Sequence, residues 1–268
     1  MNLKHTILFR DYPEFAEEIE VAKKYFQVIH LRTHLPYNQV VIPRYMYGDM
    51  RELFLDIKWC QCCGINSYRQ YKWVESFEYY ETLKDVTFET WDDSNFYRAP
   101  EGEYIVKGRN KSKKEFFNKF MYVRNKLEAV KIANLLMTDS FILEQGIIYR
   151  KYTPLKTFEI GINGLPFSNE WRFFFYKEKL LCYGYYWIQA EDALSQEISQ
   201  RGLDFARQVA KMVSGNATFY SMDTAELAGE PDRWVLVELN SGEQSGLSLC
   251  DPHELYSNLR NTLDEEIA

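Results

Sequence analysis

Residues 233–240, RWVLVELN, set the terms for the rest of the chain. Val and Leu this dense read as a buried β-strand, and side chains alternate faces along a strand. The spacing therefore predicts one apolar face of Val235, Val237 and Leu239, with Trp234, Leu236, Glu238 and Asn240 on the other. Two hard oxygen donors two residues apart, Glu238 and Asn240, suit Mg²⁺, which binds through one or two carboxylates and leaves its remaining positions to water or phosphate. Asp223, near the end of the preceding predicted strand at 217–225, adds a third oxygen if the two strands pair as a hairpin across GEPD at 229–232. Standing alone, the same residues would serve equally to cap a strand.

Charge elsewhere is segregated by sign. Lys107, Arg109, Lys111, Lys113, Lys114 and Lys119 crowd the segment 107–119 with Glu115 as its single acid, whereas residues 221–268 carry eleven acids against Arg233 and Arg260. A lysine fixed at the end of the predicted strand 103–107, followed by a lysine-rich loop, suits phosphate oxygens. It would also suit a solvated hairpin. The loop is neither GxxxxGK[ST] nor GxGxxG. In NEWRFFF, Glu170 and Arg172 share one strand face while Trp171, Phe173 and Phe175 point to a core. A guanidinium so held clamps an anion or pairs across the sheet with an acid.

The formal net charge of −7 argues against a general DNA or RNA binder. No run of about 18 apolar residues predicts a membrane span, and the N-terminus lacks the features of a secretory signal, so a soluble, cytoplasmic protein is expected. Cys60, Cys62, Cys63, Cys182 and Cys250 lack zinc-site spacing, and His5, His30, His34 and His253 form no ligand motif, so free thiols and ordinary histidines are expected. Short β-branched runs at 6–9, 26–31 and 39–42, with a helix at 14–24, read as a small α/β unit over residues 1–95. Turn residues at 92–102 close it. Beyond it the pattern predicts a helix at 127–137, a strand or strand pair at 142–152, a loop or broken hairpin at 154–166, strands at 170–176 and 180–187, a helix at 196–213, and a C-terminal helix at 252–266 capped by Asp251.

This order of elements, with Lys at a strand end, a basic loop, IIYRKYTPL, an ExR strand and a VELN strand followed by SGEQSGL, resembles the ATP-grasp fold. Within it the chain looks like the group named for one Arg and two Lys, often found in phages and bacteria. The resemblance covers about residues 100–250. It implies an α/β (α+β ATP-grasp) architecture: an N-terminal domain over 1–95, then an ATP-grasp domain over 96–268. Within the latter a nucleotide lobe at about 100–155 and a metal-binding lobe at about 165–268 would enclose ATP.

Carried over by position, Lys107 and Arg172 would be catalytic, and Lys107 with one of Lys111, Lys113 and Lys114 would hold phosphates. Arg150, Lys151 and Tyr152 would form the hinge beside adenine, with Glu144 as a competitor for nucleotide contact. Glu170 and Arg172 would face the nucleotide, and Asp223, Glu238 and Asn240 would hold Mg²⁺. The implied activity is an ATP- and Mg²⁺-dependent ligase that joins a carboxylate and an amine, small molecule or peptide, through an acyl phosphate; if phage-encoded it would work in the host cytoplasm. Two other readings stay open: a small-molecule kinase on the same fold, and a non-catalytic nucleotide- or RNA-binding module using the aromatic stretch 68–80 as a stacking platform.

Overall fold

The short apolar runs near the N-terminus form a parallel sheet. Its strands are β1 (His5–Phe9), β2 (Gln27–Ile29), β3 (Val40–Arg44) and β4 (Cys63–Gly64), in the order β2-β1-β3-β4, with helices α1 (Ala16–Ala22) and α2 (Met50–Trp59) in its connections. The computed structural model describes residues 4–46, 48–109 and 112–266, and the side chains of Glu115, Phe141 and Glu144 lie outside that description. Ser67 and Gln70 then form a reciprocal capping box that starts α3 (Tyr68–Glu75), followed by α4 (Tyr79–Leu83).

A second sheet is antiparallel, in the order β5-β8-β6-β7, from β5 (Thr90–Asp92), β6 (Tyr104–Gly108), β7 (Tyr122–Val123) and β8 (Ile147–Lys151). This sheet takes in β5 from ahead of the 95/96 boundary. Helices α5 (Phe117–Phe120), α6 (Lys126–Leu136) and α7 (Ser140–Gln145) accompany it, and Ala129, Ala133 and Leu136 of α6 share a core with Tyr104, Val106 and Tyr149.

The hairpin β9 (Thr157–Ile160) and β10 (Pro166–Ser168) leads into the third main sheet. There β11 (Glu170–Tyr176), β12 (Lys179–Tyr185), β13 (Phe219–Glu226) and β14 (Trp234–Ser241) run antiparallel in the order β12-β11-β13-β14. Alternation along β11 gives this sheet two cores. Trp171, Phe173 and Phe175 pack with α8 (Gln200–Val213) through Ala206, Val209 and Val213. Phe174 and Tyr176 pack on the other face with Leu255 and Leu259 of α9 (Pro252–Glu265) and with Ile7 and Phe9 of β1. Each large side chain so buried contributes about 1.5–3 kcal/mol. Asp251 caps α9, its side chain accepting from the His253 amide.

Two expectations are corrected. The strand expected from 142 begins at Ile147, because residues 140–145 form α7; Asp139 Oδ1 accepts from the Ile142 amide and Gly146, at φ +82°, ends the helix in a left-handed turn. Val237 does not share a face with Val235 and Leu239. A bulge lets Asp223 oppose Glu238 while Thr224 opposes Leu236, so Val237 is the extra residue and joins Glu238 at the wall of a cavity. In the aromatic stretch at 68–80, Tyr79 is buried in the core of the third sheet, with Trp73 and Phe77 packed against it, whereas Tyr68 is exposed. Among the described residues no helix is long and apolar enough to cross a membrane, and all five cysteines are unbridged.

The N-terminal sheet is locked to the third sheet by a buried charge network. Arg44 Nη2 donates to Glu18 Oε1 at 2.6 Å and to the Tyr45 hydroxyl, Nη1 donates to the Gly242 carbonyl, and the Tyr45 and Tyr256 hydroxyls donate to Glu18. Removing one member strands a charge away from water. Glu18→Ala is therefore expected to cost about 3–5 kcal/mol in denaturant unfolding, whereas Glu20→Ala, in an exposed pair with Lys23, leaves the midpoint unchanged.

Candidate active site

The second and third sheets face each other across a cleft, and the basic and acidic segments of the sequence meet there. Lys107, near the end of β6 and only 5% exposed, donates from Nζ to Glu238 Oε2 at 2.8 Å. Glu238 Oε1 accepts from Asn240 Nδ2 at 3.2 Å, and Asp223 stands directly opposite Glu238 on β13. Both Asp223 oxygens are held by Arg172, Nε at 2.8 Å and Nη2 at 2.7 Å, while Arg172 Nη1 donates to the Gly246 carbonyl at 2.7 Å. The cross-strand partner of Arg172 is thus Asp223.

Of the two described lysines among the three candidates, Lys114 turns inward. Its Nζ donates to the Tyr186 hydroxyl at 2.6 Å and lies 4.1 Å from that ring's centroid, and the Arg172 guanidinium lies 4.8 Å from the same centroid. Lys113 points elsewhere, to Asp139 Oδ2 at 2.6 Å. Lys111 lies outside the described residues; Glu144 sits on α7 with its side chain outside them. Arg150 brings a buried guanidinium whose Nη1 donates to the Val237 carbonyl at 2.7 Å. Lys151 pairs with Glu89 near the surface and Tyr152 donates its amide to the Glu103 carbonyl, and both line the same cavity as Arg150. Sequence reasoning missed Tyr186. It follows a strand with no polar pattern of its own, and only its position beside Lys114 and Arg172 reveals it.

That cavity is walled by Ile105, Met121, Leu165 and Trp187 on its apolar side and by Lys107, Lys114, Arg150, Glu170 and Glu238 on its polar side. Two polar atoms here have no hydrogen-bond partner among the described residues: Arg150 Nε, a donor, and Glu170 Oε1, an acceptor. Burial pulls the Lys107 ammonium below its ordinary range against the attraction of Glu238. Burial would also raise Glu238, but Lys107 and Lys114 outweigh it and hold that carboxylate well below its usual range. Lys114, which burial alone would lower, is held above its ordinary value by Tyr186, Glu170 and Glu238. Burial lifts Asp223 against the opposing pull of Arg172, and pushes Glu170 up to about 7.

An apolar slot with buried cations and orphaned polar atoms fits a nucleotide: the rings and methylenes accept a base, and the ammonium and guanidinium groups accept phosphate. Among the described residues no three His, Cys, Asp or Glu side chains form a ready metal cage. Two carboxylates and a carboxamide, Asp223, Glu238 and Asn240, nevertheless suit Mg²⁺, whose remaining positions phosphate oxygens would fill.

A family profile described as an ATP-grasp domain, family 3 of the clade named for one Arg and two Lys, matches residues 73–259. No curated protein matches the chain by sequence. The fold is similar to that of the ATP-grasp ligase PsnB complexed with minimal precursor, Mg and ADP, at 12% identity and TM-score 0.59, covering 100% of this chain and 99% of that one. It is also similar to the macrocyclase MdnC bound with precursor peptide MdnA from Microcystis aeruginosa MRC, at 10% identity and TM-score 0.54, covering 97% and 99%. The Chryseobacterium gregarium RiPP-associated ATP-grasp ligase in complex with ADP and a leader and core peptide matches at 11% identity and TM-score 0.54, covering 98% and 97%.

The raised Glu170 carboxyl makes a signed prediction. An acid whose folded pKa is raised stabilises the fold below its unfolded value, 4.5, and that contribution is lost as pH rises through about 7. Measured by denaturant unfolding from pH 4.5 to 8, Glu170→Gln should gain stability relative to the parent as pH increases. A constant difference across that window would contradict the burial-driven shift.

Proposed function

The chain belongs to the ATP-grasp domain family, in family 3 of the clade named for one Arg and two Lys, and from that premise we propose that it is an ATP- and Mg²⁺-dependent ligase. In this reading ATP phosphorylates a substrate carboxylate to an acyl phosphate and releases ADP; an amine then attacks the acyl carbon, expelling phosphate and losing a proton to leave an amide. The observation that carries the reading is the gathering of Lys107, Lys114 and Arg150 with Glu238 around one cavity, with the Arg172–Asp223 pair joined to it through Asp223, which stands opposite Glu238 in the sheet.

Lys107 and Lys114 are the two phosphate lysines in this account. Their point charges meet oxygens directly, and Tyr186 keeps Lys114 aimed inward. Arg172, immobilised at three nitrogens, stabilises charge that develops at the transferred phosphoryl group. Asp223, Glu238 and Asn240 would hold Mg²⁺, which when bound neutralises phosphate charge. Catalysis needs no nucleophile from the enzyme, because positioning and electrostatics lower the barrier. Glu238 would exchange its ammonium partner for the metal, and Lys107 its carboxylate for a phosphate. PsnB, MdnC and the C. gregarium ligase are each bound to a peptide, which supports a peptide as the organic partner here.

Lys114→Ala should weaken binding of the ATP analogue AMPPNP, followed by calorimetry with Mg²⁺, about 10- to 100-fold, the worth of one or two charge-assisted hydrogen bonds. Lys113→Ala should change it less than about twofold, as expected of a surface substitution. In the presence of an accepted carboxylate and amine, Lys107→Ala and Glu238→Ala should both abolish ATP-dependent ADP release while staying folded. Full turnover by both variants would remove this cavity from the reaction.

A further inference from the structure

Helix α2 presents two unlike faces. Asp49 caps it, its side chain accepting from the Arg51 amide at 2.7 Å, and Met50, Leu53 and Ile57 bury one face against Leu8 and Val41 of the N-terminal sheet. The other face carries Leu55 and Trp59, one turn apart and 57% and 84% exposed. Leu31 and Tyr37, 55% and 65% exposed, lie beside them. Their chain neighbours fix that placement: Arg32 Nε donates to Asp56 Oδ2 at 2.7 Å, next to Leu55, and the Asn38 amide donates to the Cys60 carbonyl at 3.3 Å, next to Trp59.

A single exposed leucine is ordinary on a protein surface, but four large apolar side chains gathered on one face mark an interaction site. Tryptophan is also the residue type that most often anchors such contacts. The charges around the patch select its partner. At about 100° per residue, Leu55 lies in the middle of the exposed face of α2. Arg51 and Lys58 run along one flank, and Glu52 lies with Trp59 along the other, all four exposed. A face that is basic on one side and acidic on the other complements itself: about a two-fold axis parallel to the helix, each flank meets the opposite flank of a second copy. A partner of one charge sign would instead be repelled along one flank.

We propose that the exposed face of α2, with Leu31 and Tyr37 beside it, is the contact through which two copies of this chain form a symmetric dimer. Leu55 packs on the partner's Leu55 at the axis, Arg51 pairs with the partner's Glu52, and Lys58 lies over the ring of the partner's Trp59. The two-fold axis makes each of the flanking contacts occur twice. The dimer is independent of the chemistry assigned to the cavity between the second and third sheets.

The test is sedimentation equilibrium of the full chain from about 1 to 300 µM, spanning the Kd of about 1–100 µM expected of a contact this small. Trp59→Ala should weaken dimerisation at least about 30-fold, the loss that follows truncation of an anchoring aromatic. Leu55→Ala should weaken it in the same direction, and both variants should keep the parent's denaturant midpoint, because both side chains are exposed. Two further proteins test the symmetry. Arg51→Glu with Lys58→Glu makes both flanks acidic, and Glu52→Lys makes both basic; each alone should sediment as a monomer, and an equimolar mixture should recover the dimer. A parent that stays monomeric throughout the range overturns the proposal. So does a dimer that Trp59→Ala and Leu55→Ala leave intact, or a mixture of the two charge variants that remains monomeric.

Discussion

The pair formed by Lys107 Nζ and Glu238 Oε2 is the contact on which the site depends, because it sets two buried opposite charges against each other where the second and third sheets meet, beside the Arg150–Val237 bond that also joins them. Neither charge is cheap to hold there. Burial of two ions costs several kcal/mol each, and mutual attraction roughly returns that cost only when geometry is good. Such a pair contributes little net stability to the fold. What it provides is a pair of charges already stripped of water and already aligned across the cleft, so a ligand that offers each a better partner need not desolvate them again.

The surrounding residues follow from that constraint. Arg172 is neutralised by Asp223, Lys114 is shielded by the Tyr186 ring and hydroxyl, and Arg150 is tied to the Val237 carbonyl. Each cation near Lys107 thus has its own counterpart, and the cluster stays together in a dry site despite like-charge repulsion. The architecture supplies the rigidity. Arg172 and Glu170 sit on the strand whose other side chains fill the two cores of the third sheet, and the network of Arg44, Glu18 and Gly242 pins the loop that carries the Gly246 carbonyl.

Much of this was legible in the residues because strand alternation is a strict rule. EWR and ELN each place two polar groups on one face, and an apolar strand leaves those groups no other direction. The facing of Asp223 and Glu238 followed once a hairpin was assumed, and register made it so. What could not be read were features that depend on one residue more or less. The bulge that turns Val237 to the cavity is invisible to a period-two pattern, and α7 is too short for a period of 3.6 to stand out from an apolar strand. The choice between Lys113 and Lys114 was set by a single 3₁₀ turn at Lys114–Phe116, and Tyr186 entered only through the fold.

The most direct measurement is a crystal structure of the protein with AMPPNP and Mg²⁺. The account predicts that the bond between Lys107 Nζ and Glu238 Oε2 is replaced: Lys107 and Lys114 lie on phosphate oxygens, and Glu238, Asp223 and Asn240 face the metal. A nucleotide bound elsewhere, with the Lys107–Glu238 pair intact at 2.8 Å, would contradict it.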